Sequence, residues 1–336
     1  MSKFSSKPEL SISIVTYNRC SFLKGCLTSL FALRGEIAFE VIVVDNGSTD
    51  GTTAMIAEYF PAVHLIHNER NLGFGRPHNQ AFKESQGRYF LLLNDDTLLP
   101  PGVLKAMVNF MEERADAAVC TPRLQDEHGR VQSSVFMRFP GFMTSLVTNS
   151  SARLVFERIF KNRDYPGRFP APEPASDEPQ NMPHVIGACF MVRSLLYRKM
   201  GMLDERFFIY REETDLCKRL RQDGWNIYYL PAVVITHYGG GGKFEPGREE
   251  FRVLTGVESE WIYHCKHYGM LSGYLLVILN LLAISASFLL MAFLKLLFFR
   301  HPHRSRFLSV LMSGSKMLLR GFLSLLFFRR PIRHDA

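Results

Sequence analysis

The feature that most restricts this chain is a buried-strand run that ends in acid. Tyr89-Phe90-Leu91-Leu92-Leu93 passes directly into Asn94-Asp95-Asp96-Thr97, and Pro100-Pro101-Gly102 then opens a new helix. In an α/β sheet the carboxyl ends of the strands form the ligand-binding edge, and two neighbouring carboxylates there repel unless a cation lies between them. Hard oxygen ligands suit Mg²⁺ or Mn²⁺, which keeps several waters and completes its shell with substrate phosphate oxygens. The plainer alternative is an Asn/Asp-rich turn that caps the helix, and the tripeptide by itself leaves both readings open.

Upstream, the same rhythm repeats. Leu10-Ser11-Ile12-Ser13-Ile14-Val15 alternates as a strand and turns at Thr16-Tyr17-Asn18-Arg19 into a helix with Phe22, Leu23, Cys26, Leu27, Leu30 and Phe31 on one face. Phe39 to Val44 is a continuous apolar strand ending in Asp45-Asn46-Gly47-Ser48-Thr49-Asp50-Gly51, whose turn is expected to offer backbone N–H groups to a phosphate. Asp50 is expected to N-cap a helix over 52–59. A third strand, Val63 to His67, leads into the loop Asn68 to Gln80, where two glycines and Pro77 are expected to prevent regular structure while Asn71, Arg76 and Asn79 add donors. Strand, polar turn, helix, strand is the pattern of a parallel sheet with crossover helices, so the predicted class is α/β.

Thr16-Tyr17-Asn18, Val43 to Gly51, Asn71-Leu72-Gly73-Phe74-Gly75 with Asn79, and Asn94-Asp95-Asp96, in this order and spacing, resemble glycosyltransferase family 2 and its rhamnosyltransferase-like branch over about residues 11–242. Each motif alone is weak, but four agree. The resemblance implies a GT-A fold: a Rossmann-like, mostly parallel sheet with flanking helices. It implies that Asp45 binds the nucleotide and that Thr16, Tyr17, Asn18, Asn46, Gly47, Asn71, Gly73, Phe74, Arg76, Asn79, Asn94 and Asp95 surround the nucleotide sugar. It gives Asp96, the last carboxylate of the DxD-type motif, to the metal on the donor diphosphate; Asn-Asp-Asp in place of Asp-x-Asp leaves the share of Asp95 open.

The family's Glu-Asp-x-Asp-Leu motif falls on Glu212-Glu213-Thr214-Asp215-Leu216, which implies a general base at Glu213, one methylene longer than the usual aspartate, with Glu212 as the alternative. Three carboxylates in a first helical turn also complement the helix dipole, so a structural explanation stands beside this one. Gly187 and Ala188 are implied to lie under the acceptor, with Asp215 on the same side. His237, at a strand end before four glycines, is implied to touch the metal or the diphosphate.

Hydrophobic content of 47% with 21% charged residues marks a globular chain with ample core. The net charge of +8 is concentrated: ten Lys and Arg face Asp335 alone from His264 to the end, which leaves the first 263 residues at −1. That distribution argues against a nucleic-acid partner and for a membrane surface. Six cysteines without paired spacing point to a reducing compartment without structural zinc, and Met1 to Leu10 lacks the apolar core of a secretory signal.

The expected organisation is a catalytic domain over 1–262 (donor half about 10–122, a mobile Pro-rich loop or plain surface insertion at 161–183, acceptor and base half 184–262), followed by an apolar, basic tail over 263–336. Met270 to Leu294 carries no charge for 25 residues, long enough for a span by length alone. The polar stripe Ser309, Ser313, Lys316, Arg320 and Ser324 and the basic flanks favour helices lying in the interface instead. The expected function is a metal-dependent inverting transferase using Mg²⁺ or Mn²⁺ and a dTDP- or UDP-linked donor, dTDP-L-rhamnose first. Its acceptor is expected to be a lipid-linked saccharide in cell-surface polysaccharide synthesis, at the cytoplasmic face of a bacterial inner membrane; a homodimer is left open. Alternatives are a polyprenyl-phosphate glycosyltransferase and a non-catalytic nucleotide-sugar-binding membrane module.

Overall fold

The computed structural model describes residues 7–132, 138–142, 144, 145, 177–239, 248–297, 316, 319, 320, 322 and 323. Most of the Pro-rich stretch, the glycines after Gly239, positions 133–137 of the stretch Val131 to Arg138, whose pattern allows a strand, and most of the second apolar segment lie outside them. The chain runs β1 (Leu10–Thr16), α1 (Cys20–Phe31), β2 (Phe39–Asp45), α2 (Thr52–Tyr59), β3 (His64–His67), α3 (Gly75–Glu84), β4 (Tyr89–Asn94), β5 (Thr97–Leu98), α4 (Val103–Glu113) and β6 (Ala117–Gln125). It continues with β7 (Gln180–Asn181), β8 (Cys189–Arg193), α5 (Ser194–Lys199), α6 (Glu212–Gln222), β9 (Asn226–His237), α7 (Arg248–Tyr268) and α8 (Met270–Leu297).

One sheet holds these strands in the order β3-β2-β1-β4-β8-β6-β9-β5, with β7 on β9. The first four are parallel, and their register sets Thr16 against Asp45, Val15 against Asn94 and Asp45 against His67. Four strand ends therefore meet along one edge. β8 enters antiparallel between β4 and β6, which brings the chain back to that edge from the other direction. Ile12, Ile14, Ile42 to Val44 and Phe90 to Leu93 are fully buried, each large aliphatic contributing ~1.5–3 kcal/mol. This core fixes where the polar strand ends project.

Three local expectations are corrected. The loop after His67 is helical from Gly75: Pro77 stands in the first turn of α3, where its missing N–H costs nothing, and His78, Asn79, Ala81 and Phe82 form a buried face. The patterns of Trp225 to Leu230 and of Val233 to His237, each of which reads as a strand, form one strand, β9, whose pairing with β6 skips from Leu230 to Val234 because Pro231 supplies no ladder donor. Gly51, not Asp50, is the residue that caps α2. Asp50 accepts instead from the Thr52 N–H at 3.2 Å and, across the loop, from the Cys20 N–H that starts α1 at 2.9 Å.

The boundary expected at 262/263 falls inside α7, and the backbone breaks at Gly269. α7 and α8 then fold against each other: Val257, Val277, Ile284 and Phe322 make a small core, and a Cβ at Gly273 would run into Cys265 Sγ, so only glycine allows this approach. On the other side of α8, Leu271, Leu275, Ile278, Leu282, Leu289 and Phe293 are exposed, at steps of three, four and seven. Among the described residues no helix is long and apolar enough to cross a membrane, and α8 has its side chains described without interruption only as far as 286.

Candidate active site

The end of β4 delivers Asp95 and Asp96, 5% and 3% exposed, to the shared edge. Two carboxylates so enclosed require compensation, and the β1 end provides it. Thr16 Oγ1 donates to Asp95 Oδ2 at 2.8 Å. Arg19 lies across both acids, its Nη2 donating to Asp96 Oδ2 at 3.0 Å and its Nε 3.2 Å from Asp95 Oδ1, with the guanidinium over the Phe22 ring. Burial still pushes the Asp95 carboxyl up to about 6; Arg19 opposes that shift and Asp96 adds to it. Arg19 was missed in the sequence, where it reads as one more polar turn residue.

His237, at the end of β9, closes the other side with Nε2 3.3 Å from Asp96 Oδ1. Gln132 fixes its tautomer: the amide Nε2 donates to the His237 carbonyl at 2.6 Å, so its Oε1 faces Nδ1 at 2.7 Å and Nδ1 carries the proton. The Nε2 lone pair accepts from Asn94 Nδ2 at 3.2 Å and points toward Asp96. A nitrogen lone pair and a carboxylate facing each other are a donor set for a hard divalent ion. Among the described residues no group of three or more His, Cys, Asp or Glu could hold a metal ion by itself. Gln132 also escaped sequence reasoning; a lone glutamine after a turn carries no signal.

Asp45 is fully buried at the end of β2. Its Oδ1 accepts from the Ser48 N–H at 3.1 Å and its Oδ2 faces Nδ1 of the half-exposed His67 at 2.9 Å. The Thr49 N–H is given to Asn18 Oδ1 at 2.7 Å, so the Ser48 and Thr49 donors expected to face a phosphate are spent within the turn. Asn18 itself adopts φ 52 and acts as a brace between β1 and the 46–51 turn.

Asn46, Asn68 and Asn71 form a chain of amide hydrogen bonds that ends on both the N–H and the C=O of Gly73. Gly73 has φ 87, and a Cβ there would strike Phe208 O, which accepts from the Phe74 N–H at 2.8 Å. Asn79, expected at the donor, is a buried strut: Nδ2 donates to Leu203 O and Glu205, and Oδ1 accepts from Tyr197 and the Leu203 N–H. Arg76 pairs with Glu205 at 2.9 Å on the surface. Tyr17 lies half-buried beside Thr16.

The start of α6 meets this edge through the residues just before β8. Ala188 O accepts from the Asn94 N–H at 2.9 Å, and Gly187 beside it packs against Phe74 and the Cβ of Glu213. The Asn94–Ala188 bond and the Gly187 contact thus link the end of β4 to the start of α6. Glu212 is 2% exposed, Glu213 keeps part of its surface open, and each has an Oε2 that is enclosed without a hydrogen-bond partner. Burial raises both carboxyls above the ordinary range, for Glu212 well above it with Glu213's charge adding, while Arg211 and the Gly187 N–H pull Glu213 partly back. Asp215 is different: it is saturated by Arg219, Lys266 and His267, with oxygen–nitrogen distances of 2.8 Å each, and ties α6 to α7. That leaves it no open atom for an acceptor.

Residues 11–201, more than half of the chain, match the model for glycosyl transferase family 2. The chain is 27% identical over 242 residues to an N-acetylglucosaminyl-diphospho-decaprenol L-rhamnosyltransferase of Mycobacterium tuberculosis, covering 68% of this chain and 76% of that one. It is 34% identical over 112 residues to the succinoglycan biosynthesis protein ExoO of Rhizobium meliloti, covering 33% and 31% of the two chains. Among solved structures, the mannosyltransferase PcManGT of Pyrobaculum calidifontis with GDP-Man and Mn²⁺ aligns at TM-score 0.54 and 15% identity over 97% of this chain and 89% of that one. GalNAc-T7 with UDP, GalNAc and Mn²⁺ aligns at TM-score 0.55 and 14% identity over 78% of this chain and 51% of that one. Sheet order, strand-end carboxylates and family model agree: this chain is a glycosyltransferase of family 2 with a GT-A fold.

Proposed function

We propose that the protein is an inverting, metal-dependent transferase that moves a sugar, L-rhamnose from dTDP-L-rhamnose as the first candidate, onto a hydroxyl of a lipid-linked saccharide. The observation that carries this reading is the Gly187-Ala188 bridge, which sets an enclosed Glu213 beside the edge that holds Asp95, Asp96 and His237. A base and a diphosphate site on one edge are what in-line displacement at an anomeric carbon needs.

In this reading Asp45 and the β1 end hold the nucleotide, and Asp96 with His237 Nε2 would hold Mg²⁺ or Mn²⁺. That ion, when bound, neutralises charge on the departing nucleoside diphosphate. Thr16 and Arg19 keep Asp95 oriented. Glu213 Oε2, free of partners, takes the proton of the acceptor hydroxyl as the new bond forms. The rhamnosyltransferase relative supports the donor class and a polyprenyl-diphosphate acceptor. The exposed apolar stripe of α8 supports a helix lying on the cytoplasmic leaflet, where such an acceptor resides.

The test is thermal denaturation with dTDP, UDP and GDP, each with and without Mn²⁺. A metal-dependent rise for one nucleotide, absent in Asp96→Ala, supports the donor site. Stabilisation by none of them sinks the proposal and favours a recruitment module. Transfer that survives Glu213→Gln favours an acceptor that is already an anion, such as a polyprenyl phosphate.

A further inference from the structure

The segment that aims Glu213 is held by a helix outside the sheet. Ile209, Tyr210 and Arg211 run directly into α6, and Tyr210 and Arg211 have φ 71 and 73, a left-handed conformation that side-chain-bearing residues keep only where their surroundings enforce it. One turn of α7 supplies the enforcement. Ser259 Oγ donates to Ile209 O at 2.7 Å, and Arg211 Nε donates to Glu260 Oε2 at 2.7 Å. Glu260 is 2% exposed; its other oxygen accepts from Ser145 Oγ and lies 3.7 Å from His264 Nε2. A carboxylate so enclosed has little solvent to answer to, and among the described residues its permanently charged partner is Arg211.

The pairing also has an electrostatic effect. Arg211 faces Glu260 and His264 from α7, His184 from the segment before β8, and Glu212 and Glu213 from α6. Were it to turn onto Glu213, the base would be consumed in an ion pair. Held by Glu260, it caps the segment and leaves Glu213 Oε2 without a partner.

We propose that Glu260 is a positioning residue for sugar transfer: through Arg211 it fixes the 209–211 segment and keeps Glu213 aimed and unpaired. This rests on Glu213 being the base. The experiment compares the full-length protein with its Glu260→Gln variant, using dTDP-L-rhamnose and a farnesyl-diphosphate-linked N-acetylglucosamine acceptor as probes. The amide still accepts from Arg211 but no longer balances its charge. The expected result is a kcat lower by roughly 10- to 100-fold. Donor KM should stay within about twofold, as for an interaction that matters only in the transfer step. The acid limb of the kcat profile should move to lower pH, because the uncompensated guanidinium favours ionised Glu213.

A kcat and pH profile like those of the unaltered protein would overturn the proposal, as would activity lost only in proportion to unfolded protein. Ser259→Ala is the second variant, useful if Glu260→Gln does not fold. It removes only the bond to Ile209 O and should lower kcat at constant KM; an unchanged kcat there counts against the proposal too. Failure of the unaltered protein to transfer from the donor overturns the underlying reading and this one with it, whereas transfer by the unaltered protein with an indifferent Glu260 overturns this one alone.

Discussion

Asp95 and Asp96 stand among a hydroxyl, a guanidinium and an imidazole, whereas Glu212 and Glu213, equally adjacent in sequence, each keep a buried oxygen with no hydrogen bond at all. The two pairs are prepared differently. Burial raises the Asp95 carboxyl to about 6, but Arg19 and Thr16 favour its ionised form. The glutamates are held hungry for a proton by the absence of neighbours, which is the condition of a base.

The largest expected effect comes from removing the proposed proton acceptor. Glu213→Gln should cut kcat by ~10²- to 10⁴-fold while dTDP binding, followed by calorimetry, is unchanged. Equal loss of both would erase the division of labour between the pairs. Next is the intramolecular cation: Arg19→Ala leaves two buried carboxylates facing each other and should destabilise the ligand-free protein by ~3 kcal/mol. Thermal melts should show that dTDP with Mn²⁺ restores more of the melting temperature in this variant than in the unaltered protein. If the melting temperature does not fall, Arg19 is not what compensates the aspartates.

Asp96→Ala should abolish the metal-dependent part of nucleotide stabilisation, ~2.7 kcal/mol at a ligand concentration of 100 Kd. Retention of that increment would move the metal elsewhere. The smallest effect is on pH dependence. A carboxyl whose folded pKa is raised contributes stability that is present at low pH and lost as pH rises through the folded value. Glu212 is such a group, so Glu212→Gln should raise the melting temperature at pH 8 and leave it nearly unchanged at pH 4. Equal shifts at both pH values would show that its burial carries no charge cost.

The donor half was legible because its information is local. Apolar runs ending in Asp45 and Asn94-Asp95-Asp96 declare parallel strands and the edge where they stop, and Thr52 to Tyr59 reads as a helix to the residue. What stayed hidden depends on partners far along the chain. Arg19 meets Asp96 across 77 residues and Gln132 meets His237 across 105, and neither has a spacing that a sequence displays. Asn79 and Asp215 show the same dependence: their polar side chains suggest ligands, and in the folded chain Leu203, Tyr197, Lys266 and His267 are their hydrogen-bond partners. In α3, Gly75 and Pro77 masked a helix whose buried face outweighs its poor start.

The contact between Gly73 and Phe208 has an energetic consequence for the proposed reaction. It fastens the 71–75 loop to the stretch of chain that leads to Glu213, with no side chain between them to yield. If a bound nucleotide sugar stiffens the first, the second loses freedom at the same moment, and by reciprocity an acceptor must tighten the donor by the same factor that the donor tightens it. Such coupling would make donor and acceptor bind cooperatively, whichever arrives first.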